Sequence, residues 1–403
     1  MKWISESRKG TAKNLMEVLS VGNRIGSTLE VQFARMRYLF HTILLMLSIP
    51  ALSQQYHLFI GTYTGTGSKG IYVYRFDAGK GTLEPLGHTD SASNPSFLAV
   101  HPSGNYLYAC NEDAPGTVSA FAFDRASSKL TFLNSQPTGG DHPAYIALNK
   151  SGTWLLAGNY SGGNLAAFPI NKEGSLQPFA QLVQHSGSSA NKERQEKAHV
   201  HATVFGPQDK YVYVPDLGID KVMVYEFDDD DKKPLEEATS RIVTTTPGSG
   251  PRHFTFHPSG GWTYLMEELS GQVSVYKHKD GRLGLVQRIA THPASTPGPF
   301  GSADIHVSPD GHFLYASNRG AENNLAIFAI DGKKGTLTPA GYQPTGGEQP
   351  RNFTIDPTGR YLLAANQRTG NVVVFRRDTK TGLLQSTGVQ VMIPKPVCLV
   401  WGK

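Results

Sequence analysis

Residues 349–367 read QPRNFTIDPTGRYLLAANQ, and the fold is decided by how often this stretch recurs. A proline opens a short alternating run, a Pro-x-Gly turn follows, and a second run ends at Asn366. Proline presets φ for the first turn position, and glycine supplies the conformation that closes it. The segment is therefore two short antiparallel strands and a tight turn. The same grammar begins at Pro95, Pro143, Val200, Pro251, Ser302 and Pro350, and a partial copy begins at Pro396. Sixteen residues after each full start stand Asn111, Asn159, Asp216, Glu267, Asn318 and Asn366. The turns read HPSG at His101 to Gly104 and at His257 to Gly260, SPDG at Ser308 to Gly311 and DPTG at Asp356 to Gly359. His101 and His257 are accordingly turn residues.

Each unit continues with two more strands. In the unit starting at Pro350 the four predicted strands are Asn352 to Asp356, Tyr361 to Asn366, Asn371 to Arg376 and Leu383 to Thr387. Four-stranded units at a period near 50 residues are propeller blades. Two fragments remain. Tyr56 to His88 offers three strands (HLFIGTYT, GIYVYRF, TLEPLGH) and lacks an innermost one, whereas Pro396 to Trp401 (PVCLVW) is a single apolar strand. Together they complete a seventh blade. The expectation is an all-β, seven-bladed β-propeller whose last blade is closed by the N- and C-terminal strands. Forty-three glycines, 17 tyrosines and 19 phenylalanines suit many short strands and tight turns.

The net charge of +5 does not indicate a nucleic-acid partner. Seven basic and three acidic residues fall within residues 1–50, so the rest of the chain is nearly neutral and has no basic stripe. Cys110 and Cys398 are far apart and outside any metal-binding spacing, which makes them ordinary strand thiols. From Met36 the chain reads MRYLFHTILLMLSIPALSQQ: an arginine, an apolar run and small residues before Gln54. This is the pattern of a secretory signal with cleavage near Ser53, and the run is too short to span a bilayer. A periplasmic or secreted location follows from it, a cytoplasmic one if the segment is not a signal. Residues 1–35 show no strand pattern; a start codon placed too early accounts for them, the alternative being a tethered or disordered leader. The expected division is a leader at 1–55, with the signal-like segment at 36–53, and a propeller at 56–403.

Function in a propeller gathers at the central channel, so positions there that break the repeat are informative. One residue past each start stand Ser96, Ala144, His201, Arg252, Ala303 and Arg351; next come Phe97, Tyr145, Ala202, His253, Asp304 and Asn352. After the shared residue at the end of the second strand come Glu112, Tyr160, Leu217, Glu268, Arg319 and Gln367. The shared residue caps a strand end or turn in every blade; its neighbour varies and needs another explanation. His201, Arg252, His253, Glu268, Asp304, Arg319 and Arg351 crowd one side of the rim. Three arginines against two carboxylates leave positive charge for an anion, and the arginine fork fits carboxylate or phosphate. A plainer reading pairs Glu268 with Arg252 or Arg319 to hold blades together. His199 and His201, two apart on a strand, share a face, but HxH with Asp304 is too weak a pattern to assign a metal. The polar insertion SGSSANKERQEK (Ser186 to Lys197) leads into His199 and reads equally as a lid or as a tolerated loop. The acid run Asp228 to Asp231 is a solvated turn.

These segments resemble the lactonase family of seven-bladed propellers, which includes propeller-type 6-phosphogluconolactonases and the fungal carboxy-cis,cis-muconate cyclase. The resemblance rests on GTYT (Gly61 to Thr64), HVHATVFGPQDKYVYVPDLGIDKV (His199 to Val222) and GPRHFTFHPSGGWTYLMEEL (Gly250 to Leu269). It extends to ADIHVSPDGHFLYASNRG (Ala303 to Gly320) and QPRNFTIDPTGRYLLAANQ, and covers Tyr56 to the C-terminus. It implies hydrolysis of a sugar lactone, foremost the 6-phosphate of glucono-1,5-lactone; separately from the resemblance, no cofactor or metal is expected. The catalytic set it implies is His201 (or His199), Arg252, Glu268 and Arg319. Glu268 or His201 serves as general base, and Arg252 or Arg319 faces the oxyanion. Arg351 and His253 are expected on the substrate's anionic group, with His199, Asp304, Asn352 and Gln367 as further binding residues. Glu268→Gln is expected to slow turnover and leave folding nearly untouched. The alternatives are a lactonising cyclase and a non-catalytic binding propeller, though the GH…WD signature of scaffold propellers is absent.

Overall fold

The turn chemistry builds the sheets as read. The computed structural model describes residues 54–402 except residue 66, and these form seven antiparallel sheets. Blades I to VI follow in order: Pro95–Pro137, Pro143–Gln184, Val204–Thr244, Pro251–Ala290, Ser302–Pro344 and Pro350–Met392. Blade VII joins both ends of the propeller. Its innermost strand Pro396–Trp401 pairs antiparallel with Gln55–Thr62, from Leu58 opposite Trp401 to Thr62 opposite Pro396. The turn glycines hold left-handed backbone, as at Gly260 (φ 73°) and Gly359 (φ 71°), which side-chain-bearing residues avoid.

Alternation along the strands gives each sheet two apolar faces, and every seam between blades contains its own core cluster. Phe59, Ile71, Leu107 and Phe121 fill the seam of blades VII and I; Leu325, Ile327, Phe353 and Phe375 fill that of V and VI. Burying one such large side chain stabilises by about 1.5–3 kcal/mol. Polar stitches fix the spacing of adjacent blades. The hydroxyls of Tyr108, Tyr264 and Tyr315 donate to the carbonyls of Gly174, Gly335 and Gly382 one blade further on. The turn histidines do likewise: Nε2 of His101 meets the Gly152 carbonyl, and Nε2 of His257 that of Gly311.

Cys110 and Cys398 are buried free thiols. Among the described residues no helix is long and apolar enough to cross a membrane. The signal-like segment and the leader up to residue 53 lie outside them, whereas Gln55, placed in the leader by the sequence, already pairs with Asp77 in the first strand. Blade III departs from the predicted pattern. His199 and His201 are not on a continuous strand, because its first strand shrinks to Val204–Phe205 with an isolated bridge from Val200 to Asp216.

Candidate active site

The first strand of five blades opens with a bulge. Register shifts fall after Pro95, Pro143, Pro251, Ser302 and Pro350. A bulge breaks strict alternation, so consecutive residues such as Arg252 and His253 both turn toward the interior of the ring. The shared residue after the second strand is structural, as expected. Asn159, Asn318 and Asn366 are buried and donate to the carbonyls of Thr138, Thr291 and Thr345. Its variable neighbour is thereby fixed at the channel mouth.

Glu268 is the centre of that mouth. Its Oε2 accepts from Arg252 Nη1 at 2.5 Å and lies 3.2 Å from Arg319 Nη2, while Oε1 accepts from Arg194 Nη2 at 2.8 Å. Burial alone would raise its carboxyl, but the guanidinium groups of Arg319, Arg252 and Arg194 together hold it well below the usual carboxylate range. Arg252 Nη1 also donates to His201 Nε2 at 2.5 Å, and its Nε to the Ala303 carbonyl at 2.9 Å. Arg319 is tied down by Nε to the Gly301 carbonyl at 2.8 Å, and burial pulls it down to about 10, still cationic at neutral pH. Burial and Arg252 push the His201 imidazole well below its ordinary value, so it is neutral. Because a guanidinium only donates, Nε2 is the acceptor and the proton sits on Nδ1, which has no partner among the described residues.

The mouth grades outward from this floor. Side-chain exposure is 3% at Arg252 and 4% at Glu268, then 14% at Arg319, 17% at Arg351 and 42% at Arg194. Arg351 lies 3.6 Å from Glu112 Oε2 and over the Tyr63 ring, whose hydroxyl donates to the same oxygen at 2.7 Å. Four guanidinium groups thus answer two carboxylates, Glu268 and Glu112, and the surplus positive charge read from the sequence is larger than anticipated.

Asp304 and Asn352 do not join this mouth, and His253 borders it only by an edge-on ring contact with His201 at 5.5 Å. Asp304 Oδ1 receives His253 Nδ1 at 2.7 Å and the Ile305 amide; Oδ2 receives His306 Nε2, Asn352 Nδ2 and the Phe353 amide. Five donors leave it no capacity for a substrate. Asn352 is equally committed, its Oδ1 accepting from the Leu399 amide at 2.7 Å. Burial pulls His253 down to about 4 despite Asp304, so it is neutral and does not serve an anion. Its ring meets Tyr145 and Phe97 across the channel. These groups border a cavity of about 430 Å³ with Phe256 and Trp401, where the first strands end rather than begin.

His199 stacks on Tyr160 at 4.5 Å and His201 meets the same ring edge-on at 5.2 Å, so both flank it despite the interrupted strand. The nitrogens of His199 face the Tyr160 carbonyl and Glu196, which makes it a support for Tyr160. His199, His201 and Asp304 do not converge as metal ligands. Among the described residues the group that does is the exposed turn Asp228, Asp229 and Asp230. Gln367 is half-buried on the rim of blade VI, its amide bonded to the Gln349 carbonyl.

The family model described as "Lactonase, 7-bladed beta-propeller" matches residues 57–401. The chain belongs to this lactonase family. A 6-phosphogluconolactonase of Formosa agariphila is 38% identical to this lactonase-family chain, over 83% of the chain and 96% of the relative. One from Bacillus subtilis is 37% identical over 85% and 97%. The solved structure of the Pseudomonas aeruginosa periplasmic gluconolactonase PpgL superposes with a TM-score of 0.82 at 38% identity, covering 87% and 99% of the two chains. Four residues of this family member's mouth were not singled out from its sequence: Arg194, Tyr160, Glu112 and Tyr63. Glu112 and Tyr160 stand in the same column as Glu268, and that shared position is the signal for them. Arg194 belongs to the insertion before His199, whose length was its only mark.

Proposed function

We propose that the protein hydrolyses an anionic sugar lactone, foremost the 6-phosphate of glucono-1,5-lactone. The observation that carries this reading is the buried Glu268 set among guanidinium groups at a mouth with surplus positive charge. The relatives named as 6-phosphogluconolactonases support it. In this mechanism Glu268 Oε1 takes a proton from water as the water oxygen bonds to the lactone carbonyl carbon. The carbonyl π pair moves onto oxygen, facing Arg319, the more exposed of the two floor arginines. A pre-placed donor of this kind contributes about 3 kcal/mol. Collapse breaks the bond to the ring oxygen, which takes the proton back from Glu268 and leaves as a hydroxyl. His201 is the weaker candidate for base because Arg252 occupies its lone pair, so its role is to position Arg252. Arg351, steadied by Glu112 and Tyr63, holds the anionic group.

The test is a lactone hydrolysis assay on protein starting near Gln54, with Glu268→Gln compared at a temperature where both proteins are folded. The expected loss is about 10²–10⁴-fold in turnover, and an unchanged rate returns the base role to His201 or His199. We also propose that residues 1 to about 53 are removed on export to the periplasm. The signal-like segment and the periplasmic relative support this; an intact N-terminus on protein from native cells overturns it.

A further inference from the structure

The loop of residues 186–197 holds a fixed shape. Ser189 Oγ donates to Asp220 Oδ2 at 2.5 Å, the Ser189 amide to the Gln195 carbonyl, and the fully buried Gln195 side chain to the Leu217 carbonyl at 2.8 Å. From this base Arg194 reaches over the mouth, with Nη2 on Glu268 Oε1 at 2.8 Å and on the Tyr160 hydroxyl at 3.1 Å. Its situation differs from that of the other cations on Glu268. Arg252 and Arg319 are each anchored to a backbone carbonyl and are nearly buried, whereas Arg194 has no carbonyl anchor among the described residues and its side chain is 42% exposed. Oε2 is held by the two anchored arginines, hydrogen-bonded by Arg252 and ion-paired with Arg319 at 3.2 Å, so the oxygen able to change partners is Oε1.

We propose that Arg194 is a substrate-responsive latch on Glu268: the anionic group of the substrate draws its guanidinium off Oε1, and the freed oxygen receives the proton of the attacking water. The inference rests on the lactonase reading and adds the step that couples substrate charge to turnover. A phosphate or carboxylate competes for a planar fork that already binds a carboxylate. A base works best when its pKa lies near the working pH, and a carboxylate beset by this many cations is far from it. Facing Glu268 are Arg194 from the loop, Tyr160 of blade II behind it, His201 of blade III, Arg252 of its own blade and Arg319 of blade V, with Arg351 of blade VI at longer range. Of these, Arg194 alone sits on a loop and keeps much of its side chain in water, so it can leave by exchanging only its bonds to Glu268 and Tyr160. A neutral lactone has nothing with which to move it, so substrate charge should appear in kcat as well as in KM.

The experiment measures kcat and KM across pH for glucono-1,5-lactone and its 6-phosphate on the wild-type protein, Arg194→Gln and Tyr160→Phe. Wild type should turn over the phosphorylated lactone at least about tenfold faster in kcat. Arg194→Gln should close that gap, raising kcat for the neutral lactone and raising KM for the phosphorylated one by about tenfold. Losing one cation raises the Glu268 carboxyl in the free enzyme, so the acid limb of kcat/KM should move to higher pH by at least about half a unit. Tyr160→Phe, which keeps the ring stack on His199 and loses one Arg194 partner, should move both readouts the same way by less. Equal slowing of both lactones with an unmoved acid limb makes Arg194 a plain loop contact and overturns the latch while the lactonase reading stands. If wild type hydrolyses neither lactone above the spontaneous rate, the reading itself fails and the latch falls with it.

Discussion

Glu268→Gln should destabilise the whole propeller as well as slow it. The side chain is 4% exposed and its carboxylate is the counter-charge for Arg252, 3% exposed, and Arg319, 14% exposed. Glutamine keeps the volume and removes the charge, leaving two guanidinium groups from adjacent blades facing each other out of water. Removing one partner of a buried pair costs about 3–5 kcal/mol; Arg194, which is well solvated, adds little. Unfolding a domain of this length carries an entropy that converts the loss to a midpoint about 5 °C lower. The assay is thermal unfolding at one scan rate, with Glu84→Gln as control. Glu84 pairs with Arg75 at 3.0 Å but is 63% exposed, and such a pair contributes about 0–1 kcal/mol. Inorganic phosphate at a hundredfold excess over its Kd should restore about 2.7 kcal/mol to the variant, by binding the orphaned cations of the folded state. If the Glu268→Gln midpoint falls no further than that of the control, the carboxylate is not the keystone of the mouth and the reasoning fails.

Three further outcomes follow from the same contacts. Because His253 is held at about 4 when folded and at its ordinary 6.5 when unfolded, the unfolded chain binds the extra proton between those values. Stability is therefore lost as pH falls from 6.5 toward 4, by about 3 kcal/mol from this residue. His253→Gln, which keeps a donor for Asp304, should remove that slope in urea titrations, and an unaltered slope would count against it. Deleting residues 396–403 exposes the edge of Gln55–Thr62 and opens the ring, so soluble protein with a wild-type melting curve would contradict closure through blade VII. Arg351→Ala should raise KM for the phosphorylated lactone by roughly ten- to a hundredfold with a small effect on kcat; an unchanged KM moves the anion site elsewhere.

The blades were legible because each depends on local chemistry: Pro-x-Gly turns, alternation and the sixteen-residue offset all lie within one unit. The convergence of His201, Arg252, Glu268 and Arg319 was legible for the same reason, since the offset puts both ends of each strand pair at one face. The bulges were not. They set consecutive residues at different depths in the channel, so Arg252 joins Glu268 while His253 turns to Asp304. A column of aligned residues contains no record of that depth. Arg194 was invisible because an insertion has no counterpart in other units, and only the folded loop shows where its side chain reaches. The structure reverses the expectation for Glu268→Gln, because the sequence alone does not show that this carboxylate has three arginine partners.

The strand that completes blade VII also makes the longest-range pairing in the fold, joining the two ends of the propeller from Leu58 to Trp401. Until residues 396–401 are seated, six whole blades and an incomplete seventh leave a slot in the channel wall. The Leu399 amide has then not met Asn352, nor Leu58 the backbone of Trp401. Closure has to meet the largest loop entropy of any strand pairing, and before it Gln55–Thr62 is an unpaired edge open to any passing strand. The slowest step of folding, and the demand for chaperones during it, should both be governed by these half-dozen residues.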